Sequence, residues 1–459
     1  MTTGGDVSLT LADKIANQAE LSTFNSLLQK TGYDKLLASS KNFTVWAPTN
    51  TALASLSTNV LNDTTALKAF VGNYLAFQSM EMLASATGKK LVPLINGKYA
   101  TLQGNTFNGL ATVSTNTFVG NGVLHTLSSS ADVLPSLWQY VQSNTTLKQN
   151  NAINSLIISR FNPDKAEKVG IDPLTGVQLY KSTAPNEQVN RFTTSVANLA
   201  DESKRYTYIV LADAAYDSEI ARVTGYFKAG GDTTTKEATF NVVKDLLVQG
   251  EYTADNLPTS FTSTLGTKFS IDKSAVVSTV KLSNGIALLV NKINLALSDK
   301  FKSFVAEGEN YAAKSDLANN LTTATIATVF AVKDYKDPNT GRAFQQIRVF
   351  GHGVTGYWLK YSLSALPAMK YKVYWVAVND LYNSNTATAE TATLAISQRL
   401  LMGSLTSTTF AMTALTAKNY SEVYLGDYTT SKYGSLDMYL VSNTTGGLML
   451  DYIRLEPSL

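Results

Sequence analysis

The 459-residue sequence predicts a multidomain α+β protein in which a mixed helix-and-strand unit is written twice and an all-β sandwich follows. Three observations predict it. The length, at roughly 150 residues per domain, suggests about three domains. Two different short motifs recur 163 positions later, Phe43 to Tyr206 and Asn121 to Asn284. From about residue 299, short aromatic and β-branched runs separated by turn clusters replace helical periodicity. Hydrophobic residues make up 44% of the chain, enough to fill such cores, so wholesale disorder is excluded.

The elements follow in order. Over 9–37, Leu11, Ile15, Leu21, Phe24, Leu27 and Leu28 recur at helical spacing, with an interruption near Gly32. The first motif, Phe43-Thr44-Val45-Trp46-Ala47-Pro48-Thr49-Asn50-Thr51-Ala52-Leu53, begins as a strand and meets Pro48; Thr49 and Asn50 can then cap a helix. Alternation along this strand makes Trp46 a core residue. Helical segments are predicted over 62–82 and 235–249, and short strands near 98–101 and 267–271. The second motif, Asn121-Gly122-Val123-Leu124-His125, sets a turn-forming pair before an apolar strand, which predicts a hairpin entering the core. Trp138, at the start of the next helix, is placed to pack between the repeats.

The echoes are Tyr206-Thr207-Tyr208-Ile209-Val210-Leu211-Ala212-Asp213 and Asn284-Gly285-Ile286-Ala287-Leu288. The first pair of motifs, 43–53 and 121–125, resembles the two signature blocks of the fasciclin domain. The second repeat resembles it in outline, with Leu211 and Ala212 in place of Pro48 and Thr49, Leu288 in place of His125, and an insertion at about 162–204. The resemblance covers about residues 7–298. It implies fasciclin-like β-sandwich/helix domains at 7–135 and 136–298, used outside the cell for adhesion and protein binding. Family members commonly carry a Tyr-His pair implicated in adhesive contacts; the corresponding adhesion-helix position here reads Asn73-Tyr74, without histidine.

The remaining 299–459 segment reads as strands near 326–332, 343–349, 356–361, 371–378, 391–396, 421–425, 438–441 and 448–455. The 356–361 run alternates faces and suits an outer strand, whereas 374–378 is apolar on both sides and suits a central one. Its opening, Val305-Ala306-Glu307-Gly308-Glu309, and its close, Leu450-Asp451-Tyr452-Ile453-Arg454-Leu455, resemble the first and last strands of galactose-binding-like jelly-roll domains, many of which bind carbohydrate. A sugar ring needs an aromatic platform with amide or carboxylate partners. The candidates are Tyr357, Trp358, Tyr374 and Trp375 with Asn379 and Asp380, alongside the loop tyrosines Tyr382, Tyr428 and Tyr433.

Composition narrows the chemistry. Net charge is +3 with scattered cations, so nucleic acid is excluded as a partner. Cysteine is absent, which removes disulfides, thiolate nucleophiles and cysteine metal sites. The two histidines, His125 and His352, are far apart in sequence, and neither has a metal-spaced partner; His352 lies between glycines in a loop. Asp334, Asp337 and Asn339 miss calcium-loop spacing and read as a solvated turn. No marked pair of carboxylates suggests glycoside hydrolysis. The expectation is a non-enzyme without cofactor or metal.

Charged residues at 16%, against roughly 25% in average soluble proteins, with abundant Ser, Thr and Asn, suggest an extracytoplasmic chain. With the resemblance, this leads to a bacterial cell-surface adhesion or protein-binding protein, lipid-anchored to the outer membrane through a removed N-terminal segment. Its expected partner is a protein or the extracellular matrix. The alternative is a glycan-binding accessory lipoprotein of a nutrient-uptake complex, engaging oligosaccharide and an outer-membrane transporter.

Overall fold

The computed structural model describes residues 6–173, 176–181, 185–315, 329–380, 395–443 and 446–459. These fold into two units. One comprises Met1–Tyr216, Val243–Gly266 and Ser270–Ile293; the other comprises Asp217–Val242, Thr267–Phe269 and Asn294–Leu459. The division therefore runs through the second repeat.

In the first unit, the apolar spacing of 9–37 becomes helices Leu11–Ala16, Ser22–Thr31 and Tyr33–Leu37. Thr10 caps the first reciprocally with Asp13, and Gly32, at φ 76°, separates the other two. The long helix expected over 62–82 is shorter, spanning Thr64–Gly72, and gives way to strand Leu75–Ala76. The chain leaves the helix there because Tyr74 turns into the core and its carbonyl accepts the Trp46 amide. Over 235–249 the same division occurs, helix Gly231–Val243 then strand Leu247–Gln249.

The repeated motifs form one structural corner, built twice. Strand Phe43–Pro48 lies between Leu75–Ala76 and Gly122–Leu127 and is buried throughout. Strand Tyr206–Leu211 lies likewise between Leu247–Gln249 and Gly285–Val290. Both pair in parallel with the strand of the second motif, and in the same register, Phe43 opposite Gly122 and Tyr206 opposite Gly285. One expectation is corrected here. The tight turns fall at 120–121 and 283–284, so each glycine opens a strand instead of completing a turn. Its φ is 155° or 154°, and a Cβ would sit 2.0 Å from the carbonyl oxygen of Phe43 or Tyr206. Glycine is required by the neighbouring strand.

Hydrogen bonds repeat as well. The Asn121 side chain accepts the Leu11 amide at 2.8 Å and donates to the Leu37 and Ser39 carbonyls, both at 2.7 Å. Asn284 does the same with Leu137, Leu199 and Asp201 at 2.8, 2.9 and 3.2 Å. Thr44 donates to Gln78 and accepts from Met80, while Thr207 donates to Gly250 and accepts from Tyr252. Thr10 and Ser136 cap corresponding helices with capping boxes. Buried side-chain bonds of this kind are expensive to leave unmade, so their recurrence fixes the corner geometry twice.

The second unit holds an all-β sandwich of jelly-roll type. Strand Phe304–Glu307 pairs with the last strand, Tyr452–Ser458, which continues to Lys370–Val376 and Val423–Thr429. A second sheet orders Ala313–Lys314, Trp358–Leu366, Gly434–Ser442, Ser397–Met402 and Thr413–Ala414, and a third orders Val329–Lys336, Ala343–Phe350 and Leu448–Leu450. The first and last strands are neighbours as expected, and Lys370–Val376 is interior. Trp358–Leu366 stands one place in from its edge, which the two-residue Ala313–Lys314 strand covers. The expected strands at 326–332 and 391–396 lie partly outside the described residues.

Candidate functional site

The sequence candidates in the first unit are structural. Tyr74 is fully buried, and its hydroxyl donates to the Ala131 carbonyl at 3.0 Å and accepts the Ala131 amide at 2.7 Å. Asn73 is buried too, its amide oxygen held by Asn96 at 3.0 Å. The adhesion-helix position is thus corrected: these side chains tie the end of a helix to the core and present no adhesive surface. Trp46 is buried as expected, stacked on Phe107 at 4.9 Å. His125 lies 5.7 Å from Trp46, accepts the Asn116 amide through Nδ1 and faces the Met80 carbonyl through Nε2 at 3.0 Å. That geometry places the proton of the neutral ring on Nε2, and burial holds its pKa down at about 4. Trp138 is half-buried beside residues of both repeats.

In the sandwich, the candidates separate by face. Tyr371, Val373 and Trp375 point inward along one strand, so Trp375 is fully buried; Tyr357 is buried against the His352 ring at 4.6 Å. Neither ring can serve as a surface platform, which corrects both. Asn379 is buried, while Trp358, Tyr374 and Asp380 are half-buried. His352 faces the Gly446 carbonyl through Nε2 and accepts the Val354 amide. Asp337 holds its own turn through Asn339 and Thr340. Tyr382 lies outside the described residues, Tyr428 sits on a strand, and Tyr433 packs against Phe227 at 5.2 Å.

Partly exposed aromatic side chains remain: the candidate Trp358 packs edge-on against Tyr439 at 5.5 Å, and two clusters each hold an arginine over a ring. Cross-strand register stacks Tyr335 on Phe344 at 5.3 Å, Tyr420 meets Phe344 edge-on at 6.3 Å, and Arg342 lies 4.6 Å over the Phe344 ring. Asp380 anchors this cluster, accepting the Tyr335 hydroxyl at 3.1 Å and pairing with Arg348 at 3.2 Å. Burial, with Asp380 beside it, pushes the Tyr335 phenol up to about 12, so it stays protonated as the donor. The second cluster places Tyr374 between Tyr424, at 5.3 Å, and Arg454, at 4.5 Å, with Glu422 holding the guanidinium. Sequence reasoning found Asp380 and Tyr374 but missed Tyr335, Phe344, Tyr420 and Tyr424. The cross-strand pairing that unites them is non-local.

The insertion at 162–204 contains a nested β-ribbon. Strand Ile157–Phe161 pairs with Asn186–Asn190 at its base, and Lys168–Ile171 pairs with Gln178–Tyr180 further out. Among the described residues, neither ladder has a third strand. Ile157, Phe161, Val169, Ile171, Val177 and Leu179 are all exposed, reaching 64% at Ile171. Its ion pairs, Arg160 with Glu187 and Lys181 with Glu167, are solvent-facing and weak. The ends meet where the Arg191 amide donates to the Leu156 carbonyl at 2.7 Å.

Among the described residues no group of three or more metal-ligating side chains is gathered, and no helix is long and apolar enough to cross a membrane. Residues 19–131 match the family described as the Fasciclin domain. No curated protein matches. Solved structures with similarity include the FAS1 domain pair of the insect cell adhesion molecule Fasciclin I, 13% identical, covering 61% of this chain and 99% of that one with a TM-score of 0.25. A family 35 carbohydrate binding module from Clostridium thermocellum is 10% identical, covers 34% of this chain and 100% of its own, and has a TM-score of 0.23. The Podospora anserina GH26-CBM35 β-(1,4)-mannanase is 12% identical with a TM-score of 0.23; the match spans 34% of this chain and 28% of that enzyme.

Proposed function

We propose that this chain, which carries a fasciclin domain at residues 19–131, is a non-enzymatic protein-binding module of a bacterial cell surface whose partner seats on the 157–190 ribbon. The exposed apolar ribbon is the observation that carries the reading. Apolar side chains exposed in this number on a two-stranded ribbon mark an interaction surface. A two-stranded ribbon is also marginal by itself in water, so a protein surface that covers it stabilises both partners. We further propose modules at 7–135, 136–298 and 299–459 and an outer-membrane location through an N-terminal lipid anchor; the low charge and the fasciclin domain support an extracytoplasmic setting. Metabolic labelling with a fatty acid tests the anchor.

Replacing 157–189 by a Gly-Ser link tests the binding reading. Immobilised full chain retains a specific protein from outer-membrane or matrix extract, and the excised variant does not. Identical retention by both would reject the ribbon as the binding surface.

A second reading, glycan capture for nutrient uptake with a transporter as partner, is favoured by the Tyr335, Phe344 and Tyr420 cluster beside Asp380. On an array of neutral glycans, Phe344→Ala lowers the signal of the chain about tenfold on this reading. An unchanged signal removes the cluster from it.

A further inference from the structure

Within the first unit, a cleft of about 410 Å³ opens between the two repeats, inside the usual range for small-molecule sites. The first repeat supplies Lys89, Tyr99 and Asn108, and the second supplies Arg205, Glu251 and Lys281. At its edge Lys98 crosses the junction, donating to Glu202 at 2.6 Å and Ser283 at 3.1 Å; Ser283 in turn donates to Glu202 at 2.9 Å. Arg205 is mostly buried and held by the carbonyls of Glu202 and Lys204, both at 2.8 Å, and its nearest carboxylate, Glu251, stands off at 4.0 Å. Lys89 and Lys281 make no ion pair among the described residues. The remaining walls mix hydroxyls and amides with the Tyr99 ring, the Asp132 carboxylate and the apolar Ala131, Leu134 and Leu282.

We infer that this inter-repeat cleft binds a short acidic oligosaccharide, a sugar chain carrying a carboxylate. Lys89 and Lys281, one from each repeat, supply charge for the carboxylate. Asn108, Thr101, Thr106 and Ser283 offer the donors and acceptors that ring hydroxyls require, and Tyr99 offers an apolar face. Strand Val276–Leu282, which carries Lys281 and Leu282, is the outer strand of its sheet, so an acidic peptide is the competing occupant that the test must separate. The site needs both repeats, and the partly buried Lys98 bridge joins them at its edge. It shares no residue with the ribbon or with the sandwich clusters, and it stands independently of the function proposed above.

The test is titration calorimetry of the full chain with trisaccharides of galacturonate, glucuronate-containing hyaluronan and alginate, and with methyl-esterified trigalacturonate as the uncharged control. At least one acid binds, the ester binds tenfold or more weakly, and Lys89→Ala with Lys281→Ala weakens the acid at least tenfold. Both lysines are on the surface, and an unchanged melting temperature confirms that the double variant is folded. Phe344→Ala leaves this binding unchanged. The inference is overturned if no acid binds below 5 mM, if the double variant binds equally, if Phe344→Ala abolishes binding, or if an acidic hexapeptide binds and the sugars do not.

Discussion

Three buried polar residues, His125, Asn121 and Asn284, carry the sharpest consequences. His125 is neutral in the folded chain, with a pKa near 4 against 6.5 when exposed. Above pH 6.5 neither state binds the proton; between about 6.5 and 4 only the unfolded chain does, and below 4 the loss saturates. Stability therefore falls with pH across that window, by up to roughly 3 kcal/mol from this residue. Urea unfolding at pH 4.5 and 6.5 checks it: His125→Leu, which installs the residue found at 288 in the second repeat, flattens the acid limb relative to wild type. Asn121→Ala and Asn284→Ala each strand a buried amide and two carbonyls, and each costs about 2–4 kcal/mol in the same assay. These residues were legible in sequence as Asn-Gly pairs, although as turn formers. Their role as ties between a helix, a loop and a parallel strand depends on partners 80 or more positions away.

At the scale of elements, strand Phe43–Pro48 was legible because its β-branched and aromatic run ends at Pro48, and strand Tyr206–Leu211 because it repeats that run 163 positions on. Helix length was less so: nothing in 62–82 announces that Tyr74 leaves the helix for the core. The sandwich strands could be located from turn spacing, but not which rings face outward, since alternation gives two faces without saying which is wet. Hence Trp375 and Tyr357 read as candidates while Phe344 and Tyr420 did not. The ribbon was visible only as an insertion. Its ends are joined by the Arg191-to-Leu156 hydrogen bond, and Asn190 caps the following helix. Excision of 157–189 with Asn190 retained therefore removes an independent element, and scanning calorimetry should place the variant's melting temperature within about 4 °C of wild type.

Across the whole molecule, the duplicated corner explains how one chain gains two functional opportunities that a single copy lacks: an insertion tolerated in one repeat, and a polar cleft where the repeats meet. Neither demands catalytic groups, and binding by shape and surface chemistry suffices for both. A protein partner that seats on the ribbon covers Ile171 in the cell. A photo-crosslinking amino acid at Ile171, with a control at the equally exposed Val113, measures this in intact cells. A discrete protein adduct at position 171 and none at 113 is the result predicted. No adduct at 171, or equal adducts at both positions, would mean that no specific protein covers the ribbon.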